Sequence, residues 1–301
     1  GGRVALLVLA GGLAVSYMMM DFEAARPGRF RMTVMDVGHG SAVALRTPGG
    51  RTVLYDAGSF STTERRTAAH FLWSRRVRRI DALVVSHRNV DHCSMVPYLA
   101  RRFGVGDLLL PPAPPEPTET GRRLRKSFNR MGLRTTNMTS GTLLMGGGLS
   151  LRCLHPGARF GLSDDVHAND RSVVLKGTYG NLTFLLTGDL QRAGLRRLMD
   201  RHGGSLQANV LLLPHHGQWS SELKRLVELV SPTLAVASTS STRDLRKTAR
   251  MLRRKGIPLC TTAEDGAVTA VLRGQRLRVR EFASGRELTF PLRDAGATPQ
   301  S

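Results

Sequence analysis

Three short apolar stretches of this chain each run directly into histidine or aspartate, and this repeated pattern constrains the fold more than any other feature. The stretches are 83–85, 184–186 and 210–213. The polar residues that follow them are His87, Asp91, His92, Asp189, His215 and His216. Short apolar runs predict buried strands, and side chains released at strand ends can converge on one point. Imidazole and carboxylate groups hold zinc, manganese or iron, so the pattern predicts a metal site.

Each segment on its own also has an ordinary structural explanation. Asp189 can cap a helix that follows it, and His215 with His216 can form a solvated surface pair. The histidine-rich segment 86–92 can be an exposed loop. Three strand ends that all present metal ligands favour one shared site over three coincidences.

The order of the predicted elements indicates an α/β fold. Strands are predicted at 31–37, 43–47, 52–55, 82–85, 108–110, 172–178, 182–186, 210–213, 233–237, 267–272 and 276–279, with a hairpin at 141–154. Helices are predicted at 63–78, 93–103, 122–131, 192–201, 221–230 and 243–255. Antiparallel strands followed by strand–helix units occur twice in this order. That arrangement predicts two mixed sheets packed face to face with helices outside, a four-layer αββα sandwich.

The first 30 residues are expected to precede this domain. Residues 4–20 are apolar and uncharged between Arg3 and Asp21, which is just enough for a membrane-spanning helix of roughly 17–25 residues. A signal-peptide core and an ordinary buried helix are the alternatives. Because the chain opens with two glycines, we expect the run to be the end of a membrane portion. The expected boundaries are 1–20 for the transmembrane segment, 21–30 for a linker, 31–285 for the αββα domain and 286–301 for a polar, frayed tail.

The charge of the chain favours anionic partners. Lysine and arginine number 44 against 23 aspartates and glutamates, a formal net charge of +21. Such a field attracts nucleic acid or an acidic membrane surface. Arginine greatly outnumbers lysine, however, and a GC-rich genome can produce the same bias. The basic clusters at 75–79, 122–126 and 253–255 can likewise contact phosphates or form plain solvated faces.

The three cysteines do not define a disulfide framework or a zinc knuckle. Cys93, Cys153 and Cys260 are far apart and odd in number. Cys93 lies beside His92 and can touch a metal, although a small buried residue at a helix start is the favoured role.

Six motifs together resemble the metallo-β-lactamase superfamily, and specifically the C-terminal domain of ComEC-type DNA-internalisation (competence) proteins. The motifs are 36–40 (DVGHG), 54–58 (LYDAG), 87–92 (HRNVDH), 169–175 (NDRSVVL), 185–189 (LLTGD) and 214–217 (PHHG). They run in the family's order and cover roughly residues 31–275. An apolar segment just ahead of the domain also resembles this family, whose channel-forming helices precede the domain.

The resemblance implies a centre for one or two divalent metal ions, zinc or manganese. The implied ligands are His87 at the first metal position, Asp91 and His92 at the second, Asp189 bridging the two, and His215 or His216 completing the set. Two ions held in this way lower the pKa of a bound water to near 7 and stabilise both oxygens of a phosphodiester displacement.

The resemblance also implies catalytic residues and a task. Asp56 would support the metal centre, Asn169 and Asp170 would line it, and Asp91 would take part in catalysis. The implied activity is that of a metal-dependent phosphodiesterase or nuclease, acting on incoming DNA at the cell membrane.

Four departures from the family's pattern leave other functions open. Asn89 stands where relatives carry a carboxylate or imidazole, Ser41 where they carry aspartate, and Gln218 where they carry serine. The region 238–242 offers hydroxyl groups where relatives often have a further histidine. A non-catalytic DNA-binding module of the uptake channel is therefore one alternative. A hydrolase of the same superfamily that acts on a small ester or phosphate is another, since a fold does not fix a substrate.

Overall fold

In the computed structural model, which describes residues 28–61, 64–112, 119–163 and 165–292, sixteen strands form two mixed sheets. The strands are β1 (Arg31–Val34), β2 (Ala42–Arg46), β3 (Thr52–Ala57), β4 (Arg79–Val84), β5 (Gly104–Leu110), β6 (Arg134–Asn137), β7 (Leu143–Gly146), β8 (Leu149–His155), β9 (Val174–Tyr179), β10 (Leu182–Leu186), β11 (Val210–Leu212), β12 (Leu234–Ala237), β13 (Leu259–Thr261), β14 (Val268–Arg273), β15 (Arg276–Glu281) and β16 (Glu287–Pro291). The α-helices are α1 (Arg65–Ser74), α2 (Val90–Cys93), α3 (Val96–Arg102), α4 (Glu119–Arg130), α5 (Ala158–Leu162), α6 (Arg192–His202), α7 (Ser221–Val230), α8 (Arg246–Arg254) and α9 (Thr262–Asp265). Short 3-10 turns lie at Asn169–Arg171, Gly203–Ser205, His215–Gly217 and Arg243–Leu245.

Both sheets combine an antiparallel half with a parallel half. The nine-stranded sheet has the order β16-β15-β14-β1-β2-β3-β4-β5-β6, and the seven-stranded sheet has the order β13-β12-β11-β10-β9-β8-β7. Pairing is antiparallel from β14 to β3 and parallel from β3 to β6. In the second sheet it is antiparallel from β7 to β10 and parallel from β10 to β13. Parallel neighbours need crossover connections, and the helices between these strands supply them.

Buried apolar side chains separate the molecule into four layers. On β4, Ala82 and Val84 pack between the two sheets, whereas Leu83 and Val85 pack toward α1 and α3. A strand covered on both faces is apolar at every position, which explains the uninterrupted run. The seven-stranded sheet is covered in the same way by α6, α7 and α8. The predicted αββα sandwich is therefore confirmed.

Two predicted helices differ from those in the structure. The helix predicted at 63–78 is the shorter α1, because Arg76 takes a left-handed φ of 54° and closes the helix end. The helix predicted at 93–103 is divided into α2 and α3. The backbone N–H of Met95 turns away to donate to the carbonyl of Ala57 at 2.9 Å, and Pro97 then begins a new first turn.

The predicted boundary at residue 285 requires correction. The stretch expected to be a frayed tail contains β16, which pairs with β15 through Leu277↔Phe290 and Val279↔Leu288. Leu288 and Phe290 pack against the core between the sheets. Their alternation with polar residues is an ordinary strand pattern, so the domain extends at least to the end of β16.

The apolar stretch 4–20, expected to span a membrane, lies outside the described residues, as does most of the linker predicted at 21–30. Among the residues that are described, no helix is long and apolar enough to cross a membrane. Phe30, at the end of the predicted linker, already belongs to the core. Its ring stacks on that of Tyr179, with 4.6 Å between the centroids.

Candidate metal centre

The predicted site residues lie at the carboxyl ends of strands from both sheets. They are Asp56 on β3, His87, Asp91 and His92 after β4, Asp189 after β10, and His215 and His216 after β11. Strands β3 and β4 are parallel neighbours, as are β10 and β11, so each pair ends at one edge of its sheet. Face-to-face packing of the sheets brings the two edges together.

Four of these side chains form one cluster. The ligand atoms of Asp91, His92, Asp189 and His216 all lie within 4.8 Å of one another. His92 Nε2 lies 3.1 Å from Asp189 Oδ1 and 3.8 Å from Asp91 Oδ2. His216 Nε2 lies 3.6 Å from Asp91 Oδ2 and 3.5 Å from Asp189 Oδ2. Ligand bonds of about 2.1 Å around a tetrahedral ion put neighbouring ligand atoms ~3.4 Å apart, so the cluster fits one divalent cation.

His92 and His216 each make a hydrogen bond through Nδ1, so that Nε2 faces the cluster. His92 Nδ1 lies 2.7 Å from Asp56 Oδ2, and His216 Nδ1 lies 2.7 Å from the carbonyl oxygen of Ser238. Because both partners only accept, we assign a proton to Nδ1 in each ring, so Nε2 is the nitrogen that offers its lone pair to a cation once any proton on it has been displaced. Both Nε2 atoms are buried and make no hydrogen bond within the described part of the chain, even though Asp189 is close. This is the donor set that a metal ion requires.

His87 lies beside the cluster and outside the four-atom set. Its ring centroid is 4.2 Å from that of His92. Ser86 Oγ donates to Asp56 Oδ2 at 2.9 Å, so it accepts from His87 Nδ1 at 3.1 Å. The Nε2 atom is again buried without a hydrogen bond among the described residues. Burial and the neighbouring His92 ring lower the pKa of His87 to about 3, so the ring is neutral and keeps its lone pair.

Charge within the cluster is balanced by close pairing. Burial opposes the charged form of His92, but the carboxylates of Asp189 and Asp56 outweigh it and hold the pKa of His92 well above its usual value. Burial would raise the pKa of Asp189, yet the adjacent His92 lowers it well below the usual range. Burial also opposes the charge on His216, which Asp91 offsets, so its pKa is raised. In the metal-free protein, protons on the imidazoles therefore compensate the carboxylates, and a cation must displace them.

Asp56 is a buried carboxylate that holds other residues in place. Its side chain is fully enclosed, and its Oδ1 accepts from the backbone N–H of Ser86 at 2.6 Å. Asp56 has a left-handed φ of 60°, which costs a non-glycine residue roughly 1–2 kcal/mol. Burial raises its pKa despite the bond from His92. These contacts place Asp56 behind His92, and its predicted part in catalysis stays a prediction.

Close backbone packing fixes the loop that carries Asp91. The backbone N–H of Ser41 donates to the carbonyl of Asp91 at 3.0 Å, and the N–H of Gly58 donates to the carbonyl of Ser41 at 3.1 Å. A Cβ on Gly58 would lie 2.2 Å from the carbonyl carbon of Asp91, so no larger residue fits there. The backbone of Ser41 supplies these bonds whatever its side chain.

The remaining predicted site residues make contacts of a different kind. Asn89 Nδ2 donates to Asn169 Oδ1 at 2.9 Å, so one hydrogen bond joins these two neutral side chains. Asp170 Oδ1 accepts from the backbone N–H groups of Gln191 and Gly194, at 3.1 and 2.9 Å. Asp170 therefore caps the start of α6. The predicted catalytic roles of Asn169 and Asp170 stay predictions.

The turn at His215–Gly217 separates two histidines that the sequence did not distinguish. Both His215 and His216 have left-handed φ values, 49° and 55°. The ring of His216 enters the cluster, whereas that of His215 lies outside the four-atom set, with its Nε2 3.3 Å from Gln191 Nε2. His39, in the 36–40 motif, was not among the predicted site residues. The centroid of its exposed ring lies 4.9 Å from that of His216 and 5.1 Å from that of Phe60.

Two further groups position the side chains of the site, and no feature of the sequence identifies them. The backbone carbonyl of Ser238 orients His216, and the hydroxyl of Ser86 connects Asp56 with His87. Cys93, considered as a possible ligand, is buried in α2 and donates to the carbonyl of Asn89 at 3.1 Å.

Two curated competence proteins are similar to this chain over most of its length. Competence protein ComA of Neisseria gonorrhoeae is 30% identical over 287 residues, which cover 92% of this chain and 37% of ComA. ComE operon protein 3 of Bacillus subtilis (strain 168) is 24% identical over 283 residues, which cover 87% of this chain and 36% of that protein. The chain thus spans little more than a third of the length of these relatives.

Solved structures and a family comparison identify the fold. CmlA from Streptomyces venezuelae, a diiron β-hydroxylase, is 15% identical with a TM-score of 0.50, covering 82% of this chain and 54% of CmlA. A mutant of CmlA β-hydroxylase gives a TM-score of 0.53 at 15% identity, covering 81% and 54%. Identities this low show a shared fold alone. The sequence profile of the metallo-beta-lactamase superfamily matches residues 35–241, a range that contains every ligand of the cluster. This chain belongs to the metallo-β-lactamase superfamily.

Proposed function

We propose that this domain is a metal-dependent phosphodiesterase that acts on DNA during its uptake. The observation that carries the proposal is the cluster of Asp91, His92, Asp189 and His216, in which two buried Nε2 atoms have no hydrogen bond within the described residues. Two imidazole nitrogens and two carboxylate oxygens within 4.8 Å of one another are a ligand set suited to a divalent ion, so they support a bound cation. The similarity to two competence proteins and the net charge of +21 support DNA as the substrate.

Each residue of the centre has a distinct part in this function. A divalent ion bound there would polarise a phosphoryl oxygen and lower the pKa of a water molecule. Asp91, His92, Asp189 and His216 would hold it, and Asp56 would keep the His92 ring oriented. The neutral ring of His87, with its unused Nε2, is the residue from which a second ion would be held.

Elemental analysis and DNA cleavage test the proposal together. The whole chain is loaded with Zn²⁺ or Mn²⁺ and assayed on labelled single-stranded and double-stranded oligonucleotides. The double variant Asp91→Ala, His92→Ala should lose both the metal and cleavage. A matched control, His70→Ala with Asp200→Ala, changes the same residue types at exposed positions and should retain both.

The assay also separates the proposal from its alternatives. Cleavage that survives in the Asp91→Ala, His92→Ala protein would contradict the proposed centre. Cleavage of a small phosphate ester without cleavage of DNA would show that the substrate is a small ester and not DNA. Metal binding without any turnover would select the second candidate below.

The second candidate is a DNA-binding module of the uptake machinery that has lost catalysis. The hydrogen bond from Asn89 to Asn169 favours it, because it engages the Asn169 oxygen, and a neutral amide is a weaker metal ligand than a carboxylate or an imidazole. Asn89 occupies the position at which the family resemblance implies a charged or imidazole ligand. A single ion would then remain in the cluster with a structural role.

We also propose that the protein is held at a membrane through residues 4–20. The support is the length and uncharged composition of this segment, just ahead of a domain similar to competence proteins. The whole chain should sediment with membranes and resist extraction by high salt. A chain that begins at residue 28 should stay in the supernatant, and equal partition of the two would contradict the proposal.

A further inference from the structure

A groove of about 610 Å³ lies on the outer surface between α7 and α8, and we call it the basic groove. Its cationic side chains and its one indole ring are Lys224, Lys247, Arg250, Arg254, Lys255 and Trp219. None of the described residues that line it is acidic. The basic cluster predicted at 253–255 contributes two of these cations, which places them in a concavity.

Most of the charge in the basic groove is not compensated by the protein. Lys255 Nζ pairs with Glu228 Oε1 at 2.9 Å. Within the described residues, Lys247, Arg250 and Arg254 form no ion pair, and all three are exposed. Spacings of three and four residues put them on one face of α8, where like charges repel one another. An anion in the groove would relieve that repulsion.

The basic groove adjoins the metal centre through α8. Thr248, on the buried face of this helix, donates from Oγ1 to the carbonyl of Gly217 at 2.8 Å. Gly217 directly follows His216, and Trp219 at the groove lies only two residues further along. A Cβ on Gly217 would lie 2.5 Å from Cδ2 of Leu245, the residue just before α8, which shows how closely the start of the helix packs on the turn. The helix that carries the cations is therefore attached to the turn that carries a proposed metal ligand.

We propose that the basic groove binds the phosphate backbone of a single DNA strand and leads it to the metal centre, an inference that rests on the proposed function. A row of cations suits a chain of phosphates, and the indole of Trp219 offers a surface on which a base can stack. The described lining has no Asn, Gln, Asp or Glu, the side chains that read adenine and cytosine edges, whereas its Lys and Arg side chains suit phosphates and guanine alike. We expect the phosphate contacts to dominate, so the affinity should depend little on sequence.

Salt-dependent binding tests this inference without requiring turnover. A fluorescently labelled single-stranded oligonucleotide is titrated with the whole chain in EDTA at several salt concentrations. The triple variant Lys247→Gln, Arg250→Gln, Arg254→Gln should bind at least about tenfold more weakly. The slope of log K against log salt should become shallower by about 2, since each phosphate contact on a single strand contributes about 0.7.

A matched control removes the same charge at the opposite edge of the molecule. Arg78, Arg79 and Arg101 are exposed and lie near the amino ends of β4 and β5. At about 3.3 Å per residue along β4, that edge is roughly 26 Å from His87. The triple variant Arg78→Gln, Arg79→Gln, Arg101→Gln should keep the affinity and slope of the unaltered protein. Equal losses in the two variants would mean binding by overall charge and would overturn the proposal.

Fluorescence of Trp219 supplies a direct test of contact. The chain has two tryptophans, so Trp73→Phe leaves Trp219 as the only emitter. Unlabelled oligonucleotide should quench its fluorescence, and anionic lipid vesicles should not. Quenching by vesicles but not by the oligonucleotide would assign the groove to a membrane surface and overturn the proposal.

The two proposals fail in distinguishable ways. Groove-dependent binding without any cleavage would contradict the phosphodiesterase and leave the basic groove in place. Cleavage of DNA with unchanged affinity in the Lys247, Arg250, Arg254 variant would contradict the groove and leave the phosphodiesterase.

Discussion

The carboxylate of Asp56 determines which nitrogen of His92 is available to a metal ion. Its Oδ2 lies 2.7 Å from His92 Nδ1, and Ser86 holds the carboxylate through both its N–H and its hydroxyl. Carboxylates that orient a ligating imidazole in this way typically contribute 10–100-fold to metal affinity. The bond to Asp56 thus belongs to the metal centre, although Asp56 itself is outside the four-ligand cluster.

Replacing Asp56 should weaken metal binding without removing a ligand. In Asp56→Asn the acceptor for His92 is uncharged, and we expect zinc affinity to fall about 10–100-fold. Competition with a chromogenic chelator measures the change. Asp36→Asn is the control, because Asp36 is exposed and its one hydrogen bond among the described residues is accepted from the nearby N–H of Gly38. Unchanged affinity in Asp56→Asn would contradict the orienting role.

The two histidines of the His215–Gly217 turn should differ sharply when replaced. His216→Ala removes a member of the cluster and should reduce metal affinity by more than about 100-fold, beyond the range of an orienting residue. His215→Ala should change affinity by less than about tenfold, since that ring lies outside the cluster. Metal titrations of the two variants decide the assignment, and the reverse order would show that His215 is the ligand.

The residue types of the candidate ligands could be predicted from the sequence. The groups that orient them through hydrogen bonds could not. His87, Asp91, His92 and Asp189 each follow an apolar run, which is a pattern that can be read directly. The choice between adjacent histidines depends on backbone angles in one turn, which the residue names do not encode. The orienting carbonyl of Ser238 belongs to the backbone, which every residue type carries alike.

At the level of single elements, β15 and β16 are joined by a buried carboxylate. The side chain of Glu281 is fully enclosed and accepts from Arg286 Nε at 2.8 Å and from Ser284 Oγ at 2.8 Å. The Arg286 guanidinium lowers the pKa of Glu281 to about 2. Arg286 is the first residue of the predicted tail and directly precedes β16. Its ion pair with Glu281 therefore fixes the start of β16 to the end of β15.

Loss of the Arg286 guanidinium should therefore destabilise the domain. In Arg286→Gln the buried Glu281 loses its charged partner, and we expect a loss of about 2 kcal/mol, reduced by the half-exposed position of Arg286. Urea unfolding measures the change in the free energy of unfolding, and Arg280→Gln, at an exposed arginine on β15 next to Glu281, is the control.

The same difference should depend on pH in a defined direction. Glu281 has a lowered pKa in the folded protein, so its stabilising effect is complete above its unfolded value and lost as pH falls toward 2. The difference in the free energy of unfolding between the unaltered protein and Arg286→Gln should become smaller over that pH range. A gap that widens at low pH would show that Glu281 is not the group involved.

Most of the longer elements with a buried apolar face were predictable, although β16 was missed despite its alternating pattern. Strand β6 is exposed at all four of its positions, so its sequence has no alternation of apolar and polar residues from which a strand could be predicted. Strand β13 has only three residues, too few for a pattern. The division between α2 and α3 arises from a contact with the end of β3, a tertiary constraint that overrides local helix preference.

For the whole molecule, the proposed metal centre would connect the two sheets. Asp91 and His92 follow a strand of the nine-stranded sheet, whereas Asp189 and His216 follow strands of the seven-stranded sheet. A cation that binds all four side chains can bind only when the sheets are packed together. Ligands that bind the folded state alone stabilise it in proportion to their occupancy.

Removal of metal should lower the thermal stability of the entire domain. Free metal at about 1,000 times its Kd contributes ~4 kcal/mol, which corresponds to a Tm change of roughly 10 °C for a domain of this size. A calorimetric scan with and without EDTA measures the shift. The Asp91→Ala, His92→Ala protein should show no response to EDTA, and an unmoved Tm in the unaltered protein would contradict a tightly bound ion.

The distribution of ligands along the chain has a consequence for protein synthesis. Asp91 and His92 leave the ribosome long before His216, and the carbonyl of Ser238 that orients His216 comes later still. A nascent or prematurely terminated chain that lacks this last part cannot assemble the full ligand set. Loading of the proposed metal is then confined to chains whose synthesis has passed residue 238, so an enzyme that cuts DNA would be inert until strands of both sheets had been made.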